Sequence, residues 1–287
     1  MTPSNNSPFC SQSWLQNCGE EGFRIKDYCG LVRTSLKGVR AVITPPWALD
    51  CGLKREVRDR ESYSKFISEL EGIKESLVII DLPPVNESCL TTAIIKQNTP
   101  SSWKVKWRHT RILDIPTKLP SNRRKQIKKA ERERITASVT NDWKGVHQLH
   151  DESRNRKSIH HNTNQLGKLL YAVSKEQYSF ACESRNGDGK IIASGGFIMT
   201  SNDTCLYAFG GAIRGTLSGV ATVEMINCAM EEAIIRGATF FDFGGSSDAG
   251  VDRFYKEFGA KRVSKARLIK SAWWLKPALR ILRPDLI

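Results

Sequence analysis

The chain has no Cys-x-x-Cys pair and no cysteine–histidine spacing of the kind that holds zinc. Its eight cysteines are Cys10, Cys18, Cys29, Cys51, Cys89, Cys182, Cys205 and Cys228. A disulfide framework and a zinc site are therefore not expected. Several of these cysteines lie in apolar runs, Cys205 in TCLYAF and Cys228 in MINCAM, as buried free thiols of a reducing compartment do. The first residues, MTPSNNSPFCSQSW, have neither a basic start nor an apolar stretch, so no secretion signal is expected. No run reaches the roughly 18–20 apolar residues that a spanning helix needs. The expected location is the cytoplasm, at most at the inner face of a membrane. Acidic residues are the minority, 30 Asp and Glu against 44 Lys and Arg, and the resulting +14 favours anionic partners. Coenzyme A, nucleic acid, phosphosugars and an anionic membrane face all qualify. Hydrophobic content of 40% and charged content of 26% are globular values that argue against disorder away from the ends. A length of 287 residues suits one large domain or two coupled ones.

The stretch that organises the rest is Ala238–Ala260, ATFFDFGGSSDAGVDRFYKEFGA. Aromatic and β-branched residues bounded by glycine predict a buried strand over Thr239–Phe243. After the Gly-Gly-Ser-Ser turn, Val251, Phe254, Tyr255 and Phe258 fall at i, i+3, i+4 and i+7. That spacing predicts a helix over Asp248–Phe258, capped by Ser247 or Asp248 and closed by Gly259. Upstream, Ser179–Glu183, Lys190–Thr200 and Thr204–Ala212 read as an antiparallel meander. It turns at Arg185–Gly189, of the Asn-Gly type, and at Ser201–Asp203. The loop IRGTLSGVAT then opens a helix over Val223–Arg236.

The first part of the chain is less regular. A short helix is expected near Trp14–Cys18 and strands over Val39–Ile43 and Leu77–Leu82. Helices are expected over Glu61–Leu70 and Glu87–Lys96, and a long strand over Trp103–Ile115. Little can be assigned to residues 1–37 beyond that helix. Residues 117–135, TKLPSNRRKQIKKAERERI, hold eight cations against Glu131 and Glu133. They read as a basic helix capped by Ser121 or Asn122. Helices over Trp143–Asn155 and Asn164–Val173 follow.

The segment RFYKEFGAKRV resembles the last helix and following strand of the GNAT N-acyltransferases. FDFGGS resembles a strand of their Fem-like branch, whose members carry two GNAT-like halves. ITPPWALDCGL is similar to the proline loop of Fem-like first halves, and the basic helix to the one that joins the halves. The resemblance implies an α/β, tandem GNAT-like fold with a mixed antiparallel and parallel sheet flanked by helices. It implies a degenerate half over 1–116, a connecting helix over 117–135 and an acyltransferase domain over 136–287.

The same resemblance implies acyl-CoA as co-substrate, with no metal. Arg214, Gly215, Ser218, Gly219, Val220 and Ala221 would cradle its pyrophosphate at a helix start. Their spacing departs from the usual family string. Gly210 and Gly211 would form a bulge where the third meander strand parts from Thr239–Phe243. There the pantetheine would enter, and a backbone N–H would meet the thioester oxygen. Tyr255 would protonate the departing thiolate; many Fem-type aminoacyltransferases have Lys at that place. Glu183 and Asp242 are candidate bases, and Asp242 equally a turn cap.

Arg123 and Arg124 of the basic helix, with His150 and Arg154 in LHDESRNRK, are candidates for acceptor binding. His147 and His150 lack a third ligand. The expected activity is acyl transfer to an amine, such as an amino sugar or amino acid of envelope or polysaccharide synthesis. The alternatives are an aminoacyl-tRNA-dependent peptidoglycan aminoacyltransferase and a non-catalytic nucleic-acid or membrane-binding protein. The charges carry no interleaved aromatics, which argues against single-stranded nucleic acid. The C-terminal LIKSAWWLKPALRILRPDLI mixes tryptophans, aliphatics and cations, as a membrane-surface element does.

Overall fold

A computed structural model describes residues 7–54, 56–85, 90–200, 203–245 and 248–284. The Ser201–Asn202 part of the meander turn, the Ser247 cap, Cys89 and the expected helix start at Glu87 lie outside these residues. Contacts divide the chain into two units. One runs to His109 and resumes at Val263, and the other is Thr110–Arg262. This differs from the expected division at 116 and 136, because the C-terminal residues pair with the first unit.

In the first unit, helix α1 (Gln12–Asn17) precedes strands β1 (Glu21–Ile25) and β2 (Cys29–Leu36), neither of which was expected from the polar sequence. β3 (Val39–Ile43) follows, then α2 (Arg60–Glu71), β4 (Leu77–Pro84), α3 (Thr92–Asn98) and β5 (Trp103–Asp114). Helix α3 starts at the Thr91 cap, whose hydroxyl accepts from the Ile94 amide. Tyr63, Phe66, Ile67 and Leu70 of α2 are buried on the sheet, the apolar face its spacing predicts.

The second unit contains α4 (Ser121–Arg132), β6 (Thr136–Thr140), α5 (Lys144–Arg156), α6 (Thr163–Val173), β7 (Ser179–Arg185), β8 (Ile191–Thr200) and β9 (Thr204–Ala212). It ends with α7 (Ser218–Ile235), β10 (Phe240–Asp242) and α8 (Ala249–Lys256). Pro120, not Ser121 or Asn122, stands at the cap of α4. Its fixed φ and missing N–H suit it to a helix entry. The chain then returns through β11 (Lys261–Ser271) to α9 (Lys276–Leu282). No helix among the described residues is long and apolar enough to cross a membrane.

Both units repeat one strand pattern. In the first the order is β1-β2-β3-β4-β11-β5, and in the second β5-β10-β9-β8-β7-β6, with the boundary inside β5. β3 and β4 pair in parallel from Ala41↔Leu77 to Ile43↔Ile79, and β9 and β10 from Thr204↔Phe240 to Leu206↔Asp242. In each unit a helix crosses between the parallel strands, and an antiparallel strand flanks the second of them. The mixed α/β, tandem arrangement expected from the sequence is the one the chain adopts. Phe180, Phe197, Phe241, Phe243 and Phe258 form an aromatic spine in the second core. Each such side chain contributes about 1.5–3 kcal/mol through burial.

Candidate active site

Parallel pairing of β9 with β10 lasts three residues and then stops. A register shift between β8 and β9 falls just past the last residue of β9 paired with β10. Gly196 faces Phe209 while Phe197 faces Tyr207, so Ala208 is the extra residue. The bulge thus lies before Gly210 and Gly211, not at them, which corrects the expectation. Those two glycines serve close packing. A Cβ on Gly211 would strike the Leu149 carbonyl of α5, and one on Gly210 would strike the ring and hydroxyl of Tyr207. Gly211→Ala is therefore expected to cost about 1–3 kcal/mol, since the obstacle is helix backbone. Denaturant unfolding checks this; a variant within about 0.5 kcal/mol of wild type, the range of an ordinary surface change, would show that α5 can yield.

Beyond the parting stand two tyrosines. Tyr255 stacks on Phe243 at 4.8 Å, and Tyr207 stacks on Phe197 at 5.1 Å. Burial, then the neighbouring Tyr207 phenol and the Asp242 carboxylate, hold the Tyr255 phenol far above its usual value. Burial alone does the same for Tyr207. Both stay protonated across the working range of any enzyme, as hydrogen-bond donors. Tyr207 was not singled out from the sequence. Its only signal is an aromatic before Gly210-Gly211, and the bulge alone decides which way it faces.

Helix α7 packs on β9 and the neighbouring strands β6, β7 and β8. Its start has no side-chain cap, and the Gly219 and Val220 amides have no backbone acceptor among the described residues. An added Cβ at Gly215 or Gly219 would meet nothing, and Arg214 is exposed just before the helix. The Ser218 hydroxyl turns back to the Gly215 carbonyl. Val220 and Ala221 point into the core, so they can contribute only backbone. An open helix start with bare amides fits an anionic phosphate group. The equivalent start in the first unit is closed. The Asp59 carboxylate of α2 accepts from the Ser62 amide at 2.8 Å and hydroxyl at 2.9 Å. An anion arriving there would meet a like charge.

The candidate bases have other partners. Asp242 accepts from the Thr110 hydroxyl and, at 2.8 Å, from the Gly244 amide, which makes it the anchor of the turn after β10. Glu183 is buried under Gly145 of α5 and pairs with Arg185 at 2.6 Å.

Arg123 needs a larger correction. It is 1% exposed, not part of the cationic surface. Its guanidinium lies 4.3 Å from the Phe254 ring centre and 4.4 Å from that of Phe258. It donates to the Phe254 carbonyl at 2.6 Å and to Gln126, and pairs with Glu257 at 3.2 Å. The apolar i, i+3, i+4 face of α4 points inward, and Arg123 shares it with Ala130. Arg124 is exposed, and its Nε donates to the Leu119 carbonyl. A second arginine, Arg111 of β5, holds α8 with two bonds to Asp252, 2.9 and 2.7 Å long. The helix bearing Tyr255 is thus tied down by two arginines from distant points of the chain.

His150 and Arg154 lie one turn apart on α5, which packs over β9. The Gly210 amide donates to His150 Nδ1 at 3.2 Å, and the ring meets Phe209 edge-on at 5.5 Å. Burial first, and the Arg154 charge second, bring its pKa down from 6.5 to about 4. The Gly210 amide and carbonyl both face His150 Nδ1, at 3.2 and 3.3 Å, so the Gly210 amide is directed at the imidazole and not at a free oxyanion position. Among the described residues no group of three or more His, Cys, Asp or Glu is placed to hold a metal ion.

No protein-family model and no curated protein matches the sequence. The fold does match. The chain is similar in structure to FemX. The two share 12% identity over 88% of this chain and 86% of FemX, with a TM-score of 0.66. L-PGS from Bacillus licheniformis matches over 98% of this chain and 96% of its own, at 13% identity and a TM-score of 0.61. The C-terminal domain of a lysylphosphatidylglycerol synthetase from Agrobacterium fabrum matches at 10% identity and 0.60, over 93% and 89%. At such identities the likeness to FemX and L-PGS is one of fold.

Proposed function

We propose that this protein is an N-acyltransferase that takes an acyl group from acyl-CoA held on its second unit. The observation that carries this is that β9 and β10 stop pairing after Leu206↔Asp242, that α7, which packs on β9, has an uncapped start, and that Tyr255 stacks on Phe243 directly after β10. Bound there, acyl-CoA would supply a thioester carbonyl to an amine. The Gly219 and Val220 amides and Arg214 would hold the pyrophosphate. The amine nitrogen forms a bond to the acyl carbon and loses its proton to water. As the carbon–sulfur bond breaks, its electron pair stays on sulfur. The Tyr255 hydroxyl donates a hydrogen bond to that thiolate, which takes its proton from solvent. The acceptor is an amino sugar or amino acid of envelope or polysaccharide synthesis.

Calorimetric titration with acetyl-CoA tests the placement. Wild type is expected to bind in the micromolar range, and Gly219→Asp, which sets a carboxylate at the α7 start, to lose at least roughly tenfold. Wild-type affinity in Gly219→Asp would remove the coenzyme from this helix.

A second reading, transfer from an aminoacyl-tRNA, draws on the exposed cations Lys125, Lys128, Lys129 and Arg132 of α4. It predicts aminoacyl-tRNA binding that weakens steeply with salt and activity that does not require acyl-CoA.

A further inference from the structure

Two polar atoms of α5 are buried without a hydrogen-bond partner among the described residues, His150 Nε2 and Arg154 Nε. Leaving such atoms unpaired costs about 1–3 kcal/mol each, and more for a charged group. Their neighbours show why they stay unpaired. Asp151, whose charge reaches His150, is taken: Thr163 Oγ1 donates to its Oδ1 at 2.5 Å, and His161 Nε2 stands 2.8 Å from the same oxygen. Glu152 pairs with Arg156 at 3.7 Å. Asp248, at the start of α8, pairs with Lys157 at 3.4 Å. Burial pulls the Arg154 guanidinium down, and no carboxylate offsets that loss.

His150 Nδ1 lies 3.2 Å from the Gly210 amide and 3.3 Å from its carbonyl, so either ring tautomer has a backbone partner, and with the amide donating the ring proton resides on Nε2. In that tautomer, the one an anion would favour, the unpaired Nε2 is an N–H donor. One turn on, Arg154 adds a fixed positive charge and further N–H groups. Two unpaired donors on successive turns, one of them cationic, are complementary to an oxyanion.

We infer that His150 and Arg154 form a subsite for an anionic group of the amine acceptor, a carboxylate or a phosphate monoester. This rests on the acyltransferase reading for the word acceptor, but the anion site itself does not. The guanidinium takes two oxygens of the anion, and the His150 Nε2–H takes one. The acceptor is thus held by a charge it carries at a distance from the amine. A neutral amine lacks that hold.

Two measurements on the full chain decide the matter. Inorganic phosphate titrated into coenzyme-free protein is expected to shift the nitrogen resonances of the His150 ring and the Arg154 Nε, saturably, and not in Arg154→Gln. Acetyl transfer is then compared within matched pairs, glucosamine 6-phosphate against glucosamine and an amino acid against its amide. The pair with the larger ratio names the anion. Arg154→Gln is expected to lower kcat/KM for the anionic member roughly 10–100-fold, leave the neutral member unchanged, and be partly rescued by Arg154→Lys. Phosphate shifts that persist in Arg154→Gln, or equal losses for both members of each pair, would overturn the subsite. Acetyl-CoA titration of the same samples tests the acyltransferase reading separately. If the coenzyme does not bind, that reading fails and the phosphate titration still decides this one.

Discussion

Tyr255→Phe is expected to lower kcat for acyl transfer by roughly 10²–10³, the usual effect of removing one donor from a buried site where charge develops. KM for acyl-CoA should hardly change, because the hydroxyl meets the sulfur only when that sulfur becomes a thiolate. The ring should stay in place. It stacks on Phe243 at 4.8 Å and meets Phe254 at 6.0 Å, and phenylalanine keeps both contacts. The pH dependence should also be unaltered up to about pH 10. Burial holds the phenol far above its ordinary value, so it does not ionise within that range and produces no limb in the profile. Steady-state kinetics of the pure variant are the check. Should Tyr255→Phe match wild type in kcat, the tyrosine is only a packing residue of the second core.

The second large effect concerns stability. Arg123→Ala is expected to cost about 2–4 kcal/mol, from the loss of a covered charge-assisted hydrogen bond and two cation–π contacts, the partner Glu257 being partly exposed. It removes the pair to Glu257, the bond to the Phe254 carbonyl and the stacking on two rings. Arg123→Lys should recover only a fraction, since an ammonium cannot lie flat between Phe254 and Phe258 while donating along both edges. Arg124→Ala, one residue away and exposed, should shift stability by no more than about 0.5 kcal/mol. Because these contacts hold α8, Arg123→Ala should also lose acyl transfer. Urea unfolding of the three variants separates the roles. Equal, small losses in Arg123→Ala and Arg124→Ala would return Arg123 to the cationic surface.

Much of the architecture is legible without coordinates. β3 coincides with its predicted residues, and β9 does too. Both are short apolar runs bounded by turn residues. β1 and β2 are not legible, because Arg24, Arg33 and Thr34 interrupt their alternation and only pairing with β3 reveals them. Helix α7 starts five residues before its apolar pattern suggests, since its first turn has no cap and uses small residues.

What the sequence by itself determined is local. Residue spacing sets the element types, glycine and proline set the turns, and the excess of cations sets the sign of the net charge. These follow from backbone sterics and periodicity within a few residues of each position. What only the tertiary structure decided is which side of each element is covered. Arg123 and Arg124 are adjacent and chemically identical, yet one lies against Phe254 of α8 and Phe258 just beyond it, and the other faces water. Asp242 could have been base or anchor until Thr110, 132 residues away in the chain, met its carboxylate. His150 could have faced solvent until α5 packed over β9 and set Nδ1 against the Gly210 backbone, 60 residues away. In each case the deciding partner comes from a distant segment. Burial and hydrogen-bond pairing depend on such partners, and local sequence does not encode them.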